Sequence, residues 1–347
     1  SPTSPLGKVT KTSPFGTASM TLGDLCIDFA TARVEYYLHP GALPSVTPSP
    51  ICQDLFRRDF TVNTLAAELF ADQFGSLLDL YGGVGDLGER RLRILHDASF
   101  RDDPTRIFRA LRFANRLKFT LESATENRLL EETKKQGWRN ISSARLVNEL
   151  KLVFEEQGWV PIYRDMDRYG LFTPIFGIAL SEDLLDELDK VNPVIEFFSR
   201  QGMVVNRTIL AGLCLKAYFI LPERVTRQIR PLVEQLPRTR EALLADPHPH
   251  KIFATLSQIP DPVLAYLWII CQNGEEQRLI RFYLEELRYA KPELSTADIA
   301  AHAGSGPQVK ILYNKLLTAK LEGRLPALKD EKEFIERLAA ETTHGGL

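Results

Sequence analysis

Four arginines recur every third or fourth residue in and just beyond Asp102-Asp103-Pro104-Thr105-Arg106-Ile107-Phe108-Arg109-Ala110-Leu111-Arg112-Phe113, at positions 106, 109, 112 and 116. At 100° per residue a helix brings these side chains to one flank. Ile107, Ala110, Leu111 and Ala114 fall on roughly the opposite side, where they suit burial. Asp103 is a good N-cap, and Pro104 fits the first helical position, where its missing N–H costs nothing. No Asp or Glu stands between Arg106 and Arg116 to neutralise the row. Such a helix offers guanidinium groups, with a carboxylate at its mouth, to an anionic partner that has polar edges. Taken alone, the stripe is equally a solvated charged face.

A second basic–acidic cluster lies upstream, Arg57-Arg58-Asp59-Phe60-Thr61-Val62-Asn63. Between the two runs a glycine-rich junction, Asp79-Leu80-Tyr81-Gly82-Gly83-Val84-Gly85-Asp86-Leu87. In this order and spacing, RRDFTVN, DLYGGVGDL and DDPTRIFRALRF resemble the class II tRNA nucleotidyltransferase and bacterial poly(A) polymerase family. The order is far more specific than any one motif. The segment from Ile27 to Tyr36 resembles the strand that precedes RRDFT in that family.

The resemblance assigns nucleotide binding to Arg58, Asp59, Asn63, Asp103, Arg106, Arg109 and Arg112. An arginine such as Arg58 can pair bidentately with triphosphate oxygens. A carboxylate such as Asp59 can accept from a ribose hydroxyl, and Asn63 adds a sugar contact. Asp59 is also expected to cap a helix and pair with Arg57. The resemblance assigns reading of the base to the D-x-x-R positions, here Asp103 and Arg106. Cytosine and adenine each offer an amino group beside a ring-nitrogen acceptor, which a carboxylate and a guanidinium match. Guanine and uracil would set acceptor against acceptor and donor against donor, a mismatch that discriminates strongly when buried. Arg109 and Arg112 would then meet phosphate or hold the pocket. Arg145 and Glu149 look like the motif that braces the base-reading helix, and an i,i+4 ion pair explains them equally. Two departures remove no group that the chemistry uses: Asp102 stands for the usual Glu, and Thr64 for the usual Ala. Gly82, Gly83 and Gly85 form either a hinge or an ordinary turn.

Nucleotidyl transfer in this family uses Mg2+ (or Mn2+) held by carboxylates, two of them in a D-x-D pair after a glycine-containing loop. That pair is not found, and the resemblance places the start of the chain downstream of it. Asp165-Met166-Asp167 does not replace it, because on a helix the two carboxylates diverge by about 200°. Asp28 is the one candidate for an accessory catalytic carboxylate; the alternative is a solvated strand end.

The elements that must position these groups can be outlined. Residues 1–15 read as loop. Leu25, Ile27 and Phe29 alternate with Asp24, Cys26 and Asp28, which predicts a strand with both carboxylates on one face. Pro40 to Pro50 reads as an irregular connection. A helix is expected from Asp59, with Val62, Leu65 and Leu69 on its apolar side, and a short strand at Leu77 and Leu78. From Arg93 onward the pattern is helical, with Pro161, Pro174, Pro193, Pro222, Pro231 and Pro237 as starts or connectors. Pro247-His248-Pro249-His250 marks a boundary, Ser295 with Asp298 resembles a capping box, and Gly304-Ser305-Gly306-Pro307 makes a turn. Lys310, Lys315 and Lys320 beyond it would suit RNA backbone contact. The resemblance implies an α+β chain: the remnant of a small α/β head over residues 1–90, then an all-α neck (91–155), body (156–245) and RNA-binding tail (246–347).

The bulk numbers agree with such a protein. The 347 residues suffice for two or more cores. The net charge is −2, so a nucleic-acid surface must be local. Residues 90–118 supply such a patch, with nine Lys or Arg against three acids. The four cysteines form no CxxC pair, and no apolar run reaches membrane-spanning length. The expectation is a cytoplasmic enzyme that adds C and/or A to the 3′ end of tRNA from CTP and/or ATP, without a nucleic-acid template. Its partners are the tRNA 3′ end and a nucleoside triphosphate, with no membrane and no indication of an oligomeric state. A poly(A) polymerase of the same family and a non-catalytic RNA-binding relative are the alternatives.

Overall fold

In the computed structural model residues 3–4, 7–13, 16–271, 274–303 and 307–344 are described. The chain divides into two units, Ser1–Leu180 and Ser181–Leu347. The first opens with β1 (Thr3–Ser4), β2 (Gly7–Ser13), β3 (Thr17–Leu22) and β4 (Leu25–Ala30), an antiparallel sheet in that order. The start of the chain is therefore not loop throughout. The β3–β4 register runs from Thr17 opposite Ala30 to Leu22 opposite Leu25. Gly23, at φ +58°, makes the tight turn, so Asp24 lies in the turn and not on the strand face with Asp28.

Next come β5 (Arg33–Tyr36) and β6 (Ser45–Pro48), an antiparallel pair, and α1 (Ile51–Phe56); β6 lies inside the stretch from Pro40 to Pro50, which is therefore not irregular throughout, because pairing with β5 orders it. The helix expected from Asp59 does not form. Thr61–Asn63 make a single 3₁₀ turn, and Leu69 is 79% exposed. The local reason is side-chain competition for the backbone: the Thr64 hydroxyl donates to the Thr61 carbonyl at 2.7 Å, and Asn63 turns back to Asp59. The short strand β8 (Leu77–Leu78) forms as expected, paired with β7 (Ala66–Ala67).

After the glycines follow α2 (Gly83–Gly88), β9 (Arg91–Leu92), α3 (Ser99–Asp102) and α4 (Thr105–Leu117), which carries the arginine row. β10 (Thr120–Leu121) pairs in parallel with β9. Then come α5 (Ser123–Lys134), α6 (Ser143–Glu155), α7 (Val160–Arg168) and α8 (Phe172–Phe176). α4 packs on α6 and α7, burying Ile107, Phe108, Ala110 and Leu111 beside Leu150, Phe154 and Tyr163. Edge-to-face rings tie this core together, Phe154 on Trp159 at 5.5 Å and Tyr163 on Phe172 at 5.8 Å.

The second unit is helical: α9 (Glu182–Arg200), α10 (Arg207–Cys214), α11 (Glu223–Ala245), α12 (Pro249–Leu256), α13 (Asp261–Ile270), α14 (Gly274–Glu285), α15 (Thr296–Ala303), α16 (Pro307–Leu321) and α17 (Leu328–His344). Pro193, Pro231 and Pro237 sit inside α9 and α11 instead of between helices. Each removes one backbone hydrogen bond, a loss that tertiary packing of the helix must offset. The reciprocal box at α15 is present: the Asp298 carboxylate accepts from the Ser295 N–H at 3.0 Å, and the Ser295 hydroxyl from the Asp298 N–H at 3.2 Å. Gly304, Ser305 and Gly306 of the expected turn lie outside the described residues. Leu294, Ile299, Leu312, Leu316, Ala319, Leu325 and Ile335 form the core of α15–α17. Among the described residues no single helix is long and apolar enough to cross a membrane.

Candidate functional site

A cleft of about 610 Å3 opens in the first unit, and its walls come from three stretches that are distant in sequence. Glu35, Tyr37 and Pro44 come from β5 and the loop after it; Arg57, Arg58, Asp59 and Asn63 from the end of α1 and the 3₁₀ turn; Asp103, Arg106, Arg109 and Phe113 from α4 and the residues just before it. Six of the seven residues expected to bind a nucleotide thus share one cavity.

The α4 start is built as its sequence dictates. Asp103 is extended, at φ −129°, and its Oδ1 accepts from the Thr105 N–H at 3.2 Å and the Thr105 hydroxyl at 2.7 Å. The same oxygen accepts from Arg145 Nη2 at 2.7 Å. Arg145 also donates to the Gly41 carbonyl at 3.0 Å. Arg106, 5% exposed, donates through Nη1 to the Ser99 hydroxyl at 2.6 Å and through Nη2 to the Arg57 carbonyl.

The row of arginines is not a free flank. Arg109 Nε donates to Asp59 Oδ2 at 2.8 Å, while Asp59 Oδ1 takes the Phe60 N–H and the Asn63 amide, both at 2.9 Å. Asp59 therefore pairs with Arg109 and not with Arg57. Arg57 turns to Asp54 at 2.8 Å and Glu35 at 2.8 Å. Arg112 stays out of the cleft: its nearly buried guanidinium meets Glu149 at 3.1 Å and Glu156 at 3.3 Å. Burial pushes the Glu149 carboxyl above its ordinary range, against the pull of Arg112. Arg145 and Glu149 do not pair with each other; each reaches across to the α4 segment, at Asp103 and Arg112. Arg58 keeps a 42% exposed side chain, held to Asp54 Oδ2 at 3.4 Å and to the Asn63 carbonyl at 3.2 Å. It is the cation of the cleft most open to an incoming anion.

The glycines have a local cause. Gly82 is left-handed at φ +75°, and a Cβ on Gly83 would stand 2.5 Å from the Thr61 carbonyl oxygen. Asp79 accepts from the Gly83 and Val84 N–H groups, and buried Asp86 accepts from the Thr61 hydroxyl at 2.6 Å and Arg93 Nε at 2.8 Å. The junction thus packs directly against the RRDFT turn.

Several wall residues escaped the sequence reading. Glu35 accepts from Tyr37 at 2.9 Å, and burial together with that carboxylate raises the Tyr37 phenol. Glu35 and Tyr37 had a signal, since one lies in and the other follows the segment Ile27–Tyr36 resembling the family's, which the structure divides between β4 and β5; Phe113, with Arg109 and Arg116 over its ring at 5.2 and 4.4 Å, had none beyond its place in the helix.

Asp28 lies on the exposed strand β4, accepting from the Ser19 hydroxyl at 2.6 Å, and does not line the cleft. Among the described residues no three His, Cys, Asp or Glu side chains group so as to hold a metal ion. The described residues do not fit a two-ion site. Asp165 is spent on Asn115 at 2.7 Å.

In the second unit, an open cleft of about 740 Å3 between α16 and α17 is lined by Lys315, Arg324 and Arg337 around Phe334. Lys310 is exposed and outside this lining. Lys320 departs from the expected trio: its ammonium meets fully buried Glu331 at 2.6 Å and Glu293 at 3.3 Å.

Residues 5–93 match the poly A polymerase head domain. The chain is 33% identical over 359 aligned residues to an A-adding tRNA nucleotidyltransferase of Geobacter sulfurreducens, covering 96% of this chain and 40% of that protein. Its structure is similar to that of a CCA-adding enzyme in an apo form, with a TM-score of 0.81, 28% identity, and coverage of 96% of this chain and 82% of the other. A CCA-adding enzyme in complex with ATP is similar at a TM-score of 0.79 and 28% identity, over 98% of this chain and 81% of the other. The chain thus spans about two fifths of the length of the Geobacter relative.

Proposed function

The chain belongs to the tRNA nucleotidyltransferase and poly(A) polymerase family, and from that premise we propose that it adds a nucleotide to the 3′ end of tRNA without a template. The RNA 3′-hydroxyl attacks the α-phosphate of ATP or CTP, a new phosphodiester forms and pyrophosphate leaves. The observation that carries this reading is the placement of Asp103 and Arg106 in one cleft with Arg58. The Asp103 carboxylate and the Arg106 guanidinium match the pairing edge of adenine or cytosine, and the exposed guanidinium of Arg58 suits triphosphate oxygens. Asp59, which accepts from both Asn63 and Arg109, forms the sugar side together with Asn63. Arg112 and Glu149 steady the helix from behind.

The similarity to an A-adding enzyme favours addition of the terminal A. The four-part division into head, neck, body and tail is part of the same reading, as is a cytoplasmic location with the tRNAs. Contact with the RNA backbone is assigned to the basic cleft of Lys315, Arg324 and Arg337, with Lys310 nearby in sequence. Asp28 has no role in this scheme that its surroundings support.

The test offers tRNAs trimmed by one, two or three nucleotides together with each labelled nucleoside triphosphate, in the presence of Mg2+. Labelled AMP should enter the tRNA that lacks only its last A, and addition should stop after one residue. A growing A tail would instead favour a poly(A) polymerase. Binding of ATP with no incorporation into any tRNA would overturn the transferase reading in favour of a binding protein.

A further inference from the structure

Arg106 is 5% exposed, so its N–H groups must find their acceptors inside the protein. Nη1 donates to the Ser99 hydroxyl at 2.6 Å, and Nη2 donates to the Arg57 main-chain carbonyl. Ser99 is itself 0% exposed and opens α3, the short helix immediately before Asp103. Its main-chain carbonyl accepts from the Asp103 N–H at 3.2 Å. One residue therefore holds the guanidinium by its side chain and the backbone of the carboxylate by its main chain. A guanidinium is planar, so two fixed acceptors on its two terminal nitrogens set the plane and direction of the donors that remain. With one acceptor gone it can pivot about the other.

We propose that Ser99 is a specificity-determining positioning residue: its hydroxyl oxygen fixes the direction in which Arg106 offers an N–H to the incoming nucleobase. This rests on base reading by Asp103 and Arg106. A guanidinium locked in one direction favours the ring-nitrogen acceptor of adenine and cytosine and rejects the ring N–H of guanine and uracil. One free to turn loses both the attraction and the rejection. A hydrogen bond from a charged donor into a buried hydroxyl is strong enough to hold that direction.

The test is the affinity of the protein for ATP, CTP, GTP and UTP, each titrated without RNA, in wild type, Ser99→Ala, Arg106→Ala, the double variant and Asp103→Ala. Ser99→Ala should weaken ATP and CTP on the order of tenfold and leave GTP and UTP nearly unchanged, so the preference falls by the same factor. In the Arg106→Ala background it should change the preference no further. Ser99→Thr, which keeps the oxygen, should hold the wild-type preference, and melting temperatures check that each variant is folded. An equal loss of all four nucleotides, an unchanged preference, or a shift that persists without Arg106 would overturn the proposal. If Asp103→Ala relaxes the preference while Ser99→Ala does not, this inference alone fails. If neither variant relaxes it, the base-reading role fails with it.

Discussion

Asp103 carries three hydrogen bonds on one oxygen, two from Thr105 and one from Arg145, and its other oxygen has no hydrogen-bond partner among the described residues. A carboxylate held in this way is pre-aimed: a ligand gains its bond without first ordering the side chain. Arg145 does this from α6 and at the same time ties down Gly41 in the loop that supplies Pro44 to the cleft wall. Removing it frees a partly buried carboxylate whose strongest internal partner is charged. Arg145→Ala is expected to weaken ATP binding by roughly tenfold, the size of a lost charge-assisted bond. Arg145→Lys should recover only part of this, because one ammonium cannot span both acceptors as a fork does. Nucleotide titrations on the two variants check it; full recovery by lysine would show that charge, not geometry, is what Asp103 needs.

At the scale of elements, the site depends on a turn that refuses to become a helix. Thr61–Asn63 stop after one 3₁₀ turn, and there Asn63 donates to Asp59 Oδ1 while Arg109 donates to Asp59 Oδ2. The glycine junction fixes that turn from outside, with Gly83 against the Thr61 carbonyl and Asp86 on the Thr61 hydroxyl. Since the added Cβ would meet a backbone oxygen and not a side-chain tip, Gly83→Ala should destabilise the first unit by about 1–3 kcal/mol. Gly85, where a Cβ meets nothing within 4 Å, is the control and should accept alanine with little loss. Urea unfolding curves separate the two; equal behaviour would mean the turn relaxes freely. A hinge at this junction would have to move Gly83 while keeping its approach to Thr61.

At the scale of the molecule, the second unit separates two kinds of cation that sequence spacing treats alike. Lys315, Arg324 and Arg337 line an open cleft, and Lys320 is absorbed by Glu331, which also accepts the N–H groups of Glu293 and Leu294 at 2.8 and 3.0 Å. Lys320→Ala leaves a buried carboxylate without its cation and should cost stability, on the order of 1–3 kcal/mol given the partly exposed ammonium. Arg337→Ala should leave stability alone, weaken tRNA binding and reduce its dependence on salt. Melting curves and salt-dependent tRNA titrations together read both, and the reverse assignment would show that the open cleft is not the RNA contact.

The sequence by itself determined the arginine helix with its Asp103 start, the glycine junction, the short strand at Leu77–Leu78 and the capping box at Ser295. These are set within a few residues, by the 3.6-residue repeat, by φ and by the geometry of single side chains. What each charged group meets was decided only by the tertiary structure. Arg109 finds Asp59 fifty positions away, Arg112 finds Glu149 thirty-seven away, and Arg145 finds Asp103 instead of its neighbour Glu149. Such pairings follow from which side chains burial brings into the same low-dielectric space and which acceptors the backbone leaves there. Spacing along the chain carries no record of that. The same arginine row thus read as one flank and folded into separate surroundings: Arg106 on the Ser99 hydroxyl and the Arg57 carbonyl, Arg109 on Asp59, and Arg112 and Arg116 on Glu156, with Arg112 also on Glu149.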